Sequence, residues 1–383
     1  MTKILEINDL KKIAKKKVPK MFYDYVDSGS WTQSTYKSNE EDFSKIKLRQ
    51  RVGIDISSRK YETKILNTTY NYPFGFSPVG MGGMMYPDGE ILAAQVCKEN
   101  NIPYILSTMS ICSIEEIADK VKVPFWFQLY VMKDRSFIED IIERAQDAKC
   151  KALVVTMDLP VLGQRHQDIR NGLSTPPKLT LSHMIQLFKR PGWCFKMLRT
   201  KNRTFGNILG HAKGVNNLSS IVEWTSQQFD QGLSWSYLEW IKKIWKGPII
   251  VKGILDEKDA IIAKEIGVEG IIVSNHGGRQ LDGTSSSILA LEEITNKVGS
   301  DLEVYFDGGI RSGQDIAKAL SLGAKTAFFG RPYLYGLGAD GKRGLNKVIE
   351  IFKKELDITM ALCGETNSNN LNKENLYNHE RQD

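Results

Sequence analysis

The sequence has few cysteines and histidines, and they are not arranged as in a disulfide scaffold or a metal site. Its 383 residues include five cysteines and five histidines. The cysteines are far apart, with no CxxC pair, which excludes a disulfide-rich scaffold and argues against a zinc or other metal site. An odd number of scattered cysteines is typical of a protein from a reducing compartment.

Long apolar runs and export signals are also missing. No window of about 18 residues is continuously apolar, so no membrane-spanning helix is predicted. The N-terminus, MTKILEINDLKKIAKKKVPK, lacks the apolar core and the small-residue cleavage site of a secretory signal. We therefore expect a cytoplasmic protein. With 41% hydrophobic and 25% charged residues, the composition is that of a globular protein.

Acidic residues are missing from one long segment. Between Asp168 and Glu223 the sequence has nine Lys or Arg residues and no Asp or Glu. The net charge of the whole chain is only +7, so the basic excess belongs to this segment alone. A basic excess spread over the whole chain usually points to nucleic acid. Here any partner of the charge must be met at this one segment, and no nucleic acid partner is expected.

Eight short apolar, β-branched runs recur along the chain, and helical patterns separate most of them. The runs begin at Phe74, Tyr104, Phe125, Ala152, Ile249, Gly270, Val304 and Ala327. Continuous hydrophobicity is typical of strands that are buried on both faces. Asp134, Asp256 and Ser312 are predicted helix N-caps. The pattern predicts an α/β protein with a (β/α)8 TIM barrel. The alternative, an open doubly wound sheet, is disfavoured because no GxGxxG motif follows the first run.

A single domain is predicted over residues 1–364. Residues 1–48 are expected to form a helical cap, and residues 163–246, after the fourth strand, an insertion that contains the basic segment. Residues 365–383 are rich in asparagine and nearly free of apolar side chains, so they are predicted to be a flexible tail.

Part of the basic insertion has the pattern of a segment that lies on a membrane. The predicted apolar face is formed by Leu181, Met184, Ile185, Phe188, Trp193, Met197 and Leu198. Basic residues lie beside it, which favours shallow insertion into an anionic bilayer over residues 170–215. An active-site lid or a subunit contact are the alternatives.

Polar side chains follow seven of the eight predicted strands, at the end where such barrels carry their active sites. The DGGIR run from Asp307 to Arg311 and the Gly330-Arg331 pair favour a phosphate site, because glycines, arginines and a helix N-terminus all suit an anion. Lys252 fits three hypotheses: an ion pair with Asp307, a Schiff-base lysine, or a fixed positive charge beside a cofactor.

The loop after the sixth strand holds the strongest candidates for catalysis. His276 lies between Asn275 and two glycines, where a histidine suits a general base. Arg279, three residues later, suits the binding of a carboxylate. Asp158 is available to orient His276 and to stabilise its protonated form.

At these residues the chain resembles the FMN-dependent L-2-hydroxy acid oxidases and dehydrogenases, over roughly Leu5 to Gly364. The run SNHGGRQLDG from Ser274 to Gly283 is the most specific match, and YDYVDSG, TMDLP, VKGI, DGGIRSG and GRPYLYGL follow the family's order. The bacterial L-lactate dehydrogenase branch, of cytochrome or quinone type, is the nearest in pattern.

The resemblance implies FMN as the cofactor and assigns roles to individual residues. The catalytic residues implied are His276 as base, Asp158 as its partner, Tyr130 and Lys252, the last beside flavin N1/O2. The substrate carboxylate would be held by Arg165 and Arg279 with Tyr25, and the hydroxyl by Tyr130. The FMN-binding residues implied are Pro78, Val79, Gly80, Ser107, Gln128, Thr156, Lys252, Ser274, Asp307, Gly309, Arg311, Gly330 and Arg331.

The implied reaction is oxidation of an L-2-hydroxy acid, L-lactate to pyruvate first among them, with electrons passed to a quinone or a cytochrome. Two positions depart from the oxidases: Met109 stands where glycolate oxidase has Trp, and Gly80 where oxidases usually have Ala. A homotetramer at the inner face of the cell membrane is expected. The alternatives are an O2-using oxidase, a mandelate-type dehydrogenase and, in another class, a Schiff-base aldolase through Lys252.

Overall fold

Eight parallel strands form a barrel in the computed structural model, which describes residues 3–172, 181–215, 220, 224 and 227–377. In chain order the strands are β1 Thr63–Ile65, β2 Thr68–Tyr70, β3 Phe74–Phe76, β4 Ile105–Ser107, β5 Trp126–Tyr130, β6 Ala152–Thr156, β7 Ile249–Ile254, β8 Gly270–Val273, β9 Glu303–Asp307 and β10 Thr326–Phe329. The strands β3 to β10 pair with their neighbours in sequence, and β10 pairs with β3. A bridge between Phe76 and Tyr104 joins β3 to β4. The predicted (β/α)8 barrel is confirmed.

The short hairpin β1–β2 closes one end of the barrel, and the sequence did not predict it. Ile65 and Tyr70 pack against inward-facing side chains near the amino ends of the barrel strands, including Trp126, Tyr305 and Phe328. These aromatic side chains fill the half of the barrel nearest the amino ends of the strands. Any cavity inside it must therefore open at the carboxyl ends of the strands.

Helices surround the barrel and cover its outer face. They are α1 Ile7–Lys17, α2 Lys20–Val26, α3 Ser34–Glu41, α4 Gly82–Met85, α5 Gly89–Asn100, α6 Ile114–Val121, α7 Arg135–Asp147, α8 His166–Arg170, α9 Leu181–Phe188, α10 Pro191–Met197, α11 Ser236–Ile244, α12 Glu257–Ile266, α13 Ser287–Val298, α14 Gly313–Ser321 and α15 Arg331–Cys363, with 3-10 helices at Asp42–Lys45, Ser368–Asn370 and Lys373–Asn375. The side chains of Asp134, Asp256 and Ser312 accept backbone N–H groups as the predicted N-caps. The backbone of α15 is interrupted at Asp340 and Gly341.

The first helices form a cap that packs on the barrel and on α15. Leu10 and Ala14 of α1 are fully buried, so the amphipathic first helix is anchored by its apolar face. The chain after α2 then reaches the loop that follows β8, where the N–H of Ser30 donates to the carbonyl of Gly278 at 2.9 Å. The cap therefore supports the end of the barrel at which the cavity opens.

Residues 365–377 do not form the flexible tail that the sequence predicts. Leu376 is only 6% exposed and pairs with Leu48 across an isolated bridge. The asparagines that suggested disorder instead cap short turns, as Asn372 does at the last 3-10 helix. The prediction was wrong because a few leucines and turn caps suffice to hold this segment. The rest of the predicted tail, 378–383, lies outside the described residues.

The insertion between β6 and β7 has two different parts. The helices α9 and α10 lie on the surface, whereas Ile208 and Val215 are fully buried against the barrel. The side chain of Asn207 donates to the carbonyl of Ser107 at 3.2 Å and to Oγ of Ser110 at 2.9 Å. The second part therefore belongs to the barrel core and holds the loop after β4.

The exposed apolar face of the insertion differs in part from the predicted one. Its described members are Leu181, Met184, Ile185, Phe188, Phe195 and Leu198. Met197 is buried instead, and Trp193 stacks on Phe22 and donates to the carbonyl of Met84. The sequence could not separate the two sides of α10, because Trp and Met suit a core and a surface anchor equally. In the part of the chain that the structure describes, no helix has the length and hydropathy needed to cross a bilayer.

Candidate active site

A cavity of about 1030 Å3 opens at the carboxyl ends of the barrel strands. Residues that follow all eight strands line it, together with residues of the cap and the insertion. The predicted site residues that line it are Tyr25, Pro78, Val79, Gly80, Gln128, Tyr130, Thr156, Asp158, Arg165, Lys252, Ser274, His276, Arg279, Asp307, Gly309, Arg311, Gly330 and Arg331. Parallel strands bring these distant positions to one end of the barrel.

His276, after β8, is hydrogen-bonded to Asp158, after β6. Its Nδ1 lies 2.9 Å from Oδ1 of Asp158. A carboxylate can only accept there, so Nδ1 carries the proton and Nε2 is left as an acceptor. The hydroxyl of Tyr130 lies 3.2 Å from Nε2. The cavity therefore has a proton acceptor beside a phenol.

Burial and the neighbouring charges together set the ionisation of this pair. Burial lowers the pKa of His276, against the opposing effect of Asp158. Burial alone would raise the pKa of Asp158, but the hydrogen bond from His276 and the positive charges of Lys252 and Arg165 hold that pKa below its usual value. A neutral imidazole next to an ionised carboxylate is the arrangement of a general base whose protonated form is stabilised. Burial raises the pKa of Tyr130, so its hydroxyl keeps its proton.

Three successive residues in the left-handed region turn the loop after β8. His276, Gly277 and Gly278 have φ angles of 58°, 64° and 70°. A left-handed histidine is uncommon, and such a conformation persists only when its surroundings hold it. Here Oγ of Ser274 accepts the N–H of His276 at 3.1 Å. The loop presents the imidazole to the cavity in one defined position.

Two arginines reach one side of the cavity. Arg279 lies over the ring of Tyr25, 4.5 Å from its centroid, and donates through Nη1 to the carbonyls of Tyr25 and Ser28. Its Nη2 lies 3.3 Å from Oδ2 of Asp168. Arg165 donates through Nε to the carbonyl of Arg279 at 3.2 Å. A guanidinium has five N–H donors, so both side chains retain donors for a carboxylate.

Lys252 is buried at the end of β7 among polar partners. Its Nζ donates to Oγ of Ser274 at 2.8 Å and lies 3.2 Å from Oδ2 of Asp307. The hydroxyl of Ser77 also donates to Asp307. The ion pair with Asp307, one of the three hypotheses, is present. This contact argues against a Schiff base, because it engages the amine that would have to attack a carbonyl.

A chain of hydrogen bonds joins the ends of β4, β5 and β6. The hydroxyl of Ser107 donates to Oε1 of Gln128 at 2.9 Å, and Nε2 of Gln128 donates to Oγ1 of Thr156 at 3.0 Å. Ser107 also accepts the N–H of Met109. Ser107 lies behind Gln128 and is not among the residues that line the cavity, so its contact with the cofactor stays a prediction. It orients the amide of Gln128.

The ends of β9 and β10 bring two further arginines to the N-terminus of α15. Arg331, its first residue, donates to the carbonyls of Val26 and Ser28 at 2.8 and 2.9 Å. Arg311 forms an ion pair with Glu40 at 2.6 Å. Two arginines at a helix N-terminus favour an anion, a phosphate above all.

The family of FMN-dependent dehydrogenases matches residues 14–378 of this chain. The chain belongs to that family. An L-lactate dehydrogenase of Pseudomonas syringae pv. syringae (strain B728a) is 42% identical over 364 residues, 95% of this chain and 96% of that protein. Another, of Acinetobacter baylyi, is 41% identical over 358 residues, 93% of each chain. The structure of (S)-mandelate dehydrogenase, a monotopic membrane protein, has a TM-score of 0.94 at 31% identity and covers 99% of this chain and 100% of that one.

The resemblance to FMN-dependent 2-hydroxy acid enzymes is thereby confirmed, and FMN is the cofactor of this FMN-dependent dehydrogenase. The cavity fits FMN. Its volume of about 1030 Å3 is at the upper end of the range for small-molecule sites. Arg311 and Arg331 can hold the phosphate, and a Cβ on Gly277 would lie 2.7 Å from Nη1 of Arg331. Glycine therefore leaves room for that guanidinium.

Two buried residues of the dehydrogenase site escaped the sequence analysis. Nε2 of Gln280 donates to the carbonyls of Asp158 and Val161 at 2.8 and 2.9 Å, which holds the loop after β6. Asp168 pairs with Arg279. Gln280 directly follows Arg279 in the run SNHGGRQLDG, and this position in the motif was the only feature of the sequence that could have pointed to Gln280 as a site residue. Asp168 was visible only as the last acidic residue before the basic segment.

Proposed function

We propose that this FMN-dependent dehydrogenase oxidises L-lactate to pyruvate. The names of its relatives support lactate as the substrate. The observation that carries the reaction is the neutral His276, paired with Asp158, in the same cavity as Arg165 and Arg279. A 2-hydroxy acid offers a carboxylate to the arginines and a hydroxyl-bearing carbon to the base.

Substrate binding uses the arginine side of the cavity. The free donors of Arg279 and Arg165 take the carboxylate, with Tyr25 supporting Arg279 by stacking. The hydroxyl of Tyr130, which keeps its proton, donates to the substrate hydroxyl. Together these contacts place the second carbon of the substrate beside Nε2 of His276. The Tyr130 hydroxyl lies 3.2 Å from that nitrogen.

His276 takes the proton that the 2-hydroxy acid gives up. Nε2 accepts it, and the resulting imidazolium is stabilised by Asp158 at 2.9 Å. The chemistry that bound FMN would supply is the oxidation itself, the uptake of two electrons and of the second hydrogen that the substrate loses. The charge of Lys252, held by Ser274 and Asp307, opposes the negative charge that the cofactor gains.

The remaining predicted residues bind the cofactor in this proposal. Those beside the flavin ring and ribityl chain are Pro78, Val79, Gly80, Gln128, Thr156, Lys252, Ser274 and Asp307, with Ser107 acting through Gln128. Those at the phosphate are Gly309, Arg311, Gly330 and Arg331. The glycines allow backbone N–H groups to approach an anion, and the arginines match its oxygens.

A quinone or a cytochrome is the proposed electron acceptor. The protein is proposed to lie at the cytoplasmic face of the membrane, where it would meet that acceptor. The exposed apolar residues of α9 and α10 support this location. Leu181, Phe188 and Leu198 are 78%, 88% and 71% exposed, and the acid-free segment supplies Lys and Arg for anionic lipids. The structural neighbour (S)-mandelate dehydrogenase is a monotopic membrane protein.

A homotetramer is also proposed for this protein. Light scattering in detergent would measure the number of subunits.

The test of the proposed function is anaerobic mixing of the purified flavoprotein with L-lactate, glycolate and (S)-mandelate. We expect L-lactate to bleach the flavin fastest. His276→Gln should keep FMN and lose about 10²–10⁴ in rate, the usual contribution of a general base. Absence of FMN from the protein, or a flavin that no 2-hydroxy acid reduces, would refute the proposal.

Mandelate is the second candidate substrate. The fold of (S)-mandelate dehydrogenase covers this chain almost completely, and Met109, where glycolate oxidase has Trp, lines the cavity. Because a Met side chain is flexible, Met109 does not fix the size of the substrate side chain that the cavity accepts. Faster bleaching by (S)-mandelate than by L-lactate would decide for it, and rapid reoxidation by O2 would favour an oxidase.

A further inference from the structure

Asp168 faces the arginines of the cavity and has no part in the proposed proton transfer. It lies in α8, where the insertion begins, and is 9% exposed. Its Oδ2 is 3.3 Å from Nη2 of Arg279. Its Oδ1 is buried and has no hydrogen-bond partner in the described part of the chain. A buried carboxylate oxygen without a partner is costly, so its presence beside a binding group requires a reason.

The contacts of Arg279 divide its donors between the protein and the cavity. Nη1 donates to the carbonyls of Tyr25 and Ser28, and Nη2 donates to Asp168. These bonds use three of the five N–H groups, and two remain. The ring of Tyr25 holds the plane of the guanidinium at 4.5 Å. Asp168 is the acidic partner among the groups that hold the guanidinium within that plane.

We propose that Asp168 is a positioning residue that turns the free donors of Arg279 toward the substrate carboxylate and so sets substrate affinity. The inference rests on the proposed function, because it requires a carboxylate substrate. Asp168 does not contact His276, Asp158 or Tyr130 through any hydrogen bond described for it. Its loss should therefore weaken binding and leave the chemical step nearly unchanged.

The experiment compares Asp168→Ala, Asp168→Asn and the control Asn171→Ala. Asn171 lies at the end of the same helix, where its side chain donates to Asp24 at 2.9 Å, and it does not touch Arg279. Each FMN-loaded variant is titrated with oxalate, a small carboxylate that is not a 2-hydroxy acid, by following the flavin spectrum. The rate of flavin bleaching is then measured against L-lactate concentration.

We expect Asp168→Ala to raise the oxalate Kd and the half-saturating lactate concentration about tenfold, the effect of losing one hydrogen bond to a charged group. The limiting bleaching rate should change less than about threefold. Asn keeps an oxygen that accepts from Nη2, so Asp168→Asn should restore affinity to within about threefold of the wild type.

An unchanged oxalate Kd in Asp168→Ala would overturn the inference. An equal loss of oxalate affinity in Asn171→Ala would also overturn it, because it would mean that only the position of α8 matters. A fall in the limiting rate without a change in affinity would also overturn it. If the wild type itself is not reduced by any 2-hydroxy acid, the proposed function fails. The oxalate titration still reports on the arginine site in that case.

Discussion

Replacing Asp158 with Asn should slow substrate oxidation strongly without removing FMN. The carboxylate lies 2.9 Å from Nδ1 of His276, and the base becomes positively charged when it takes the proton. At an effective dielectric constant of about 20, the attraction between two charges at this distance is about 6 kcal/mol. Lys252 and Arg165 repel the protonated His276 and so offset part of its stabilisation. Measured losses for broken buried pairs are about 3–5 kcal/mol, so the rate should fall by a factor between about 10² and about 5 × 10³.

The same substitution should move the acid limb of the pH profile. Activity requires neutral His276, so kcat/KM falls as the pH drops through its pKa, which burial holds below the usual value. Asp158 raises that pKa. Removing its charge therefore lowers the pKa further and shifts the acid limb to lower pH.

The assay is stopped-flow bleaching of the flavin by L-lactate from about pH 5 to pH 9, with FMN content measured for each preparation. Asp357→Asn is the matched control, because Asp357 forms an ion pair with Arg59 and neither residue lines the cavity. It should match the wild type. A near-normal rate in Asp158→Asn, or an acid limb that moves to higher pH, would refute the role of Asp158.

Three further outcomes are expected. Arg279→Lys should lower kcat/KM for L-lactate about 10–100-fold, because a point charge replaces a planar donor set; steady-state kinetics measure this, and an unchanged kcat/KM contradicts it. Gly309→Ala should cost more than about 3 kcal/mol of folding free energy, because its Cβ would lie 1.7 Å from the carbonyl of Asn39. Gly283→Ala, which has a similar φ and nothing within 4 Å, should cost only about 1 kcal/mol; equal melting temperatures of the two variants would remove the argument. Phe188→Ser with Leu198→Ser should abolish sedimentation with anionic vesicles at low salt, whereas Leu362→Ser, at an exposed site on α15, should not. Salt should also release the wild type, and a wild type that does not bind anionic vesicles would leave α9 and α10 as a lid or a subunit contact.

The barrel could be predicted from the sequence because its signals are local. Strands buried on both faces need continuous apolar runs, and the glycines and N-cap residues between them mark where helices begin and end. Asp134, Asp256 and Ser312 act as caps as predicted. The tail was mispredicted because its anchors, Leu376 among them, bind partners more than 300 positions earlier.

Part of the chemistry of the candidate site could also be predicted from the sequence, because its signals are local. Residues at strand ends must meet in a closed parallel barrel, so His276, Asp158 and Lys252 could be placed in one cavity from sequence order alone. Their contacts could not, because hydrogen bonds depend on side-chain direction over distances of a few tenths of an ångström. The position of Ser107 behind Gln128 shows this limit.

Sequence alone determined the residue types, the order of the strands and the acid-free segment, since these are properties of the chain itself. Only the tertiary structure decided the ionisation of His276, which depends on burial that no local pattern records. It also decided that Asp168 meets Arg279 across 111 positions of the chain. It also decided that Met197 at the end of α10 is buried whereas Leu198, the next residue, is exposed, because both are apolar and only their neighbours in the fold separate them. Burial and partnership are set by the packing of distant segments, and packing exists only once the barrel has closed.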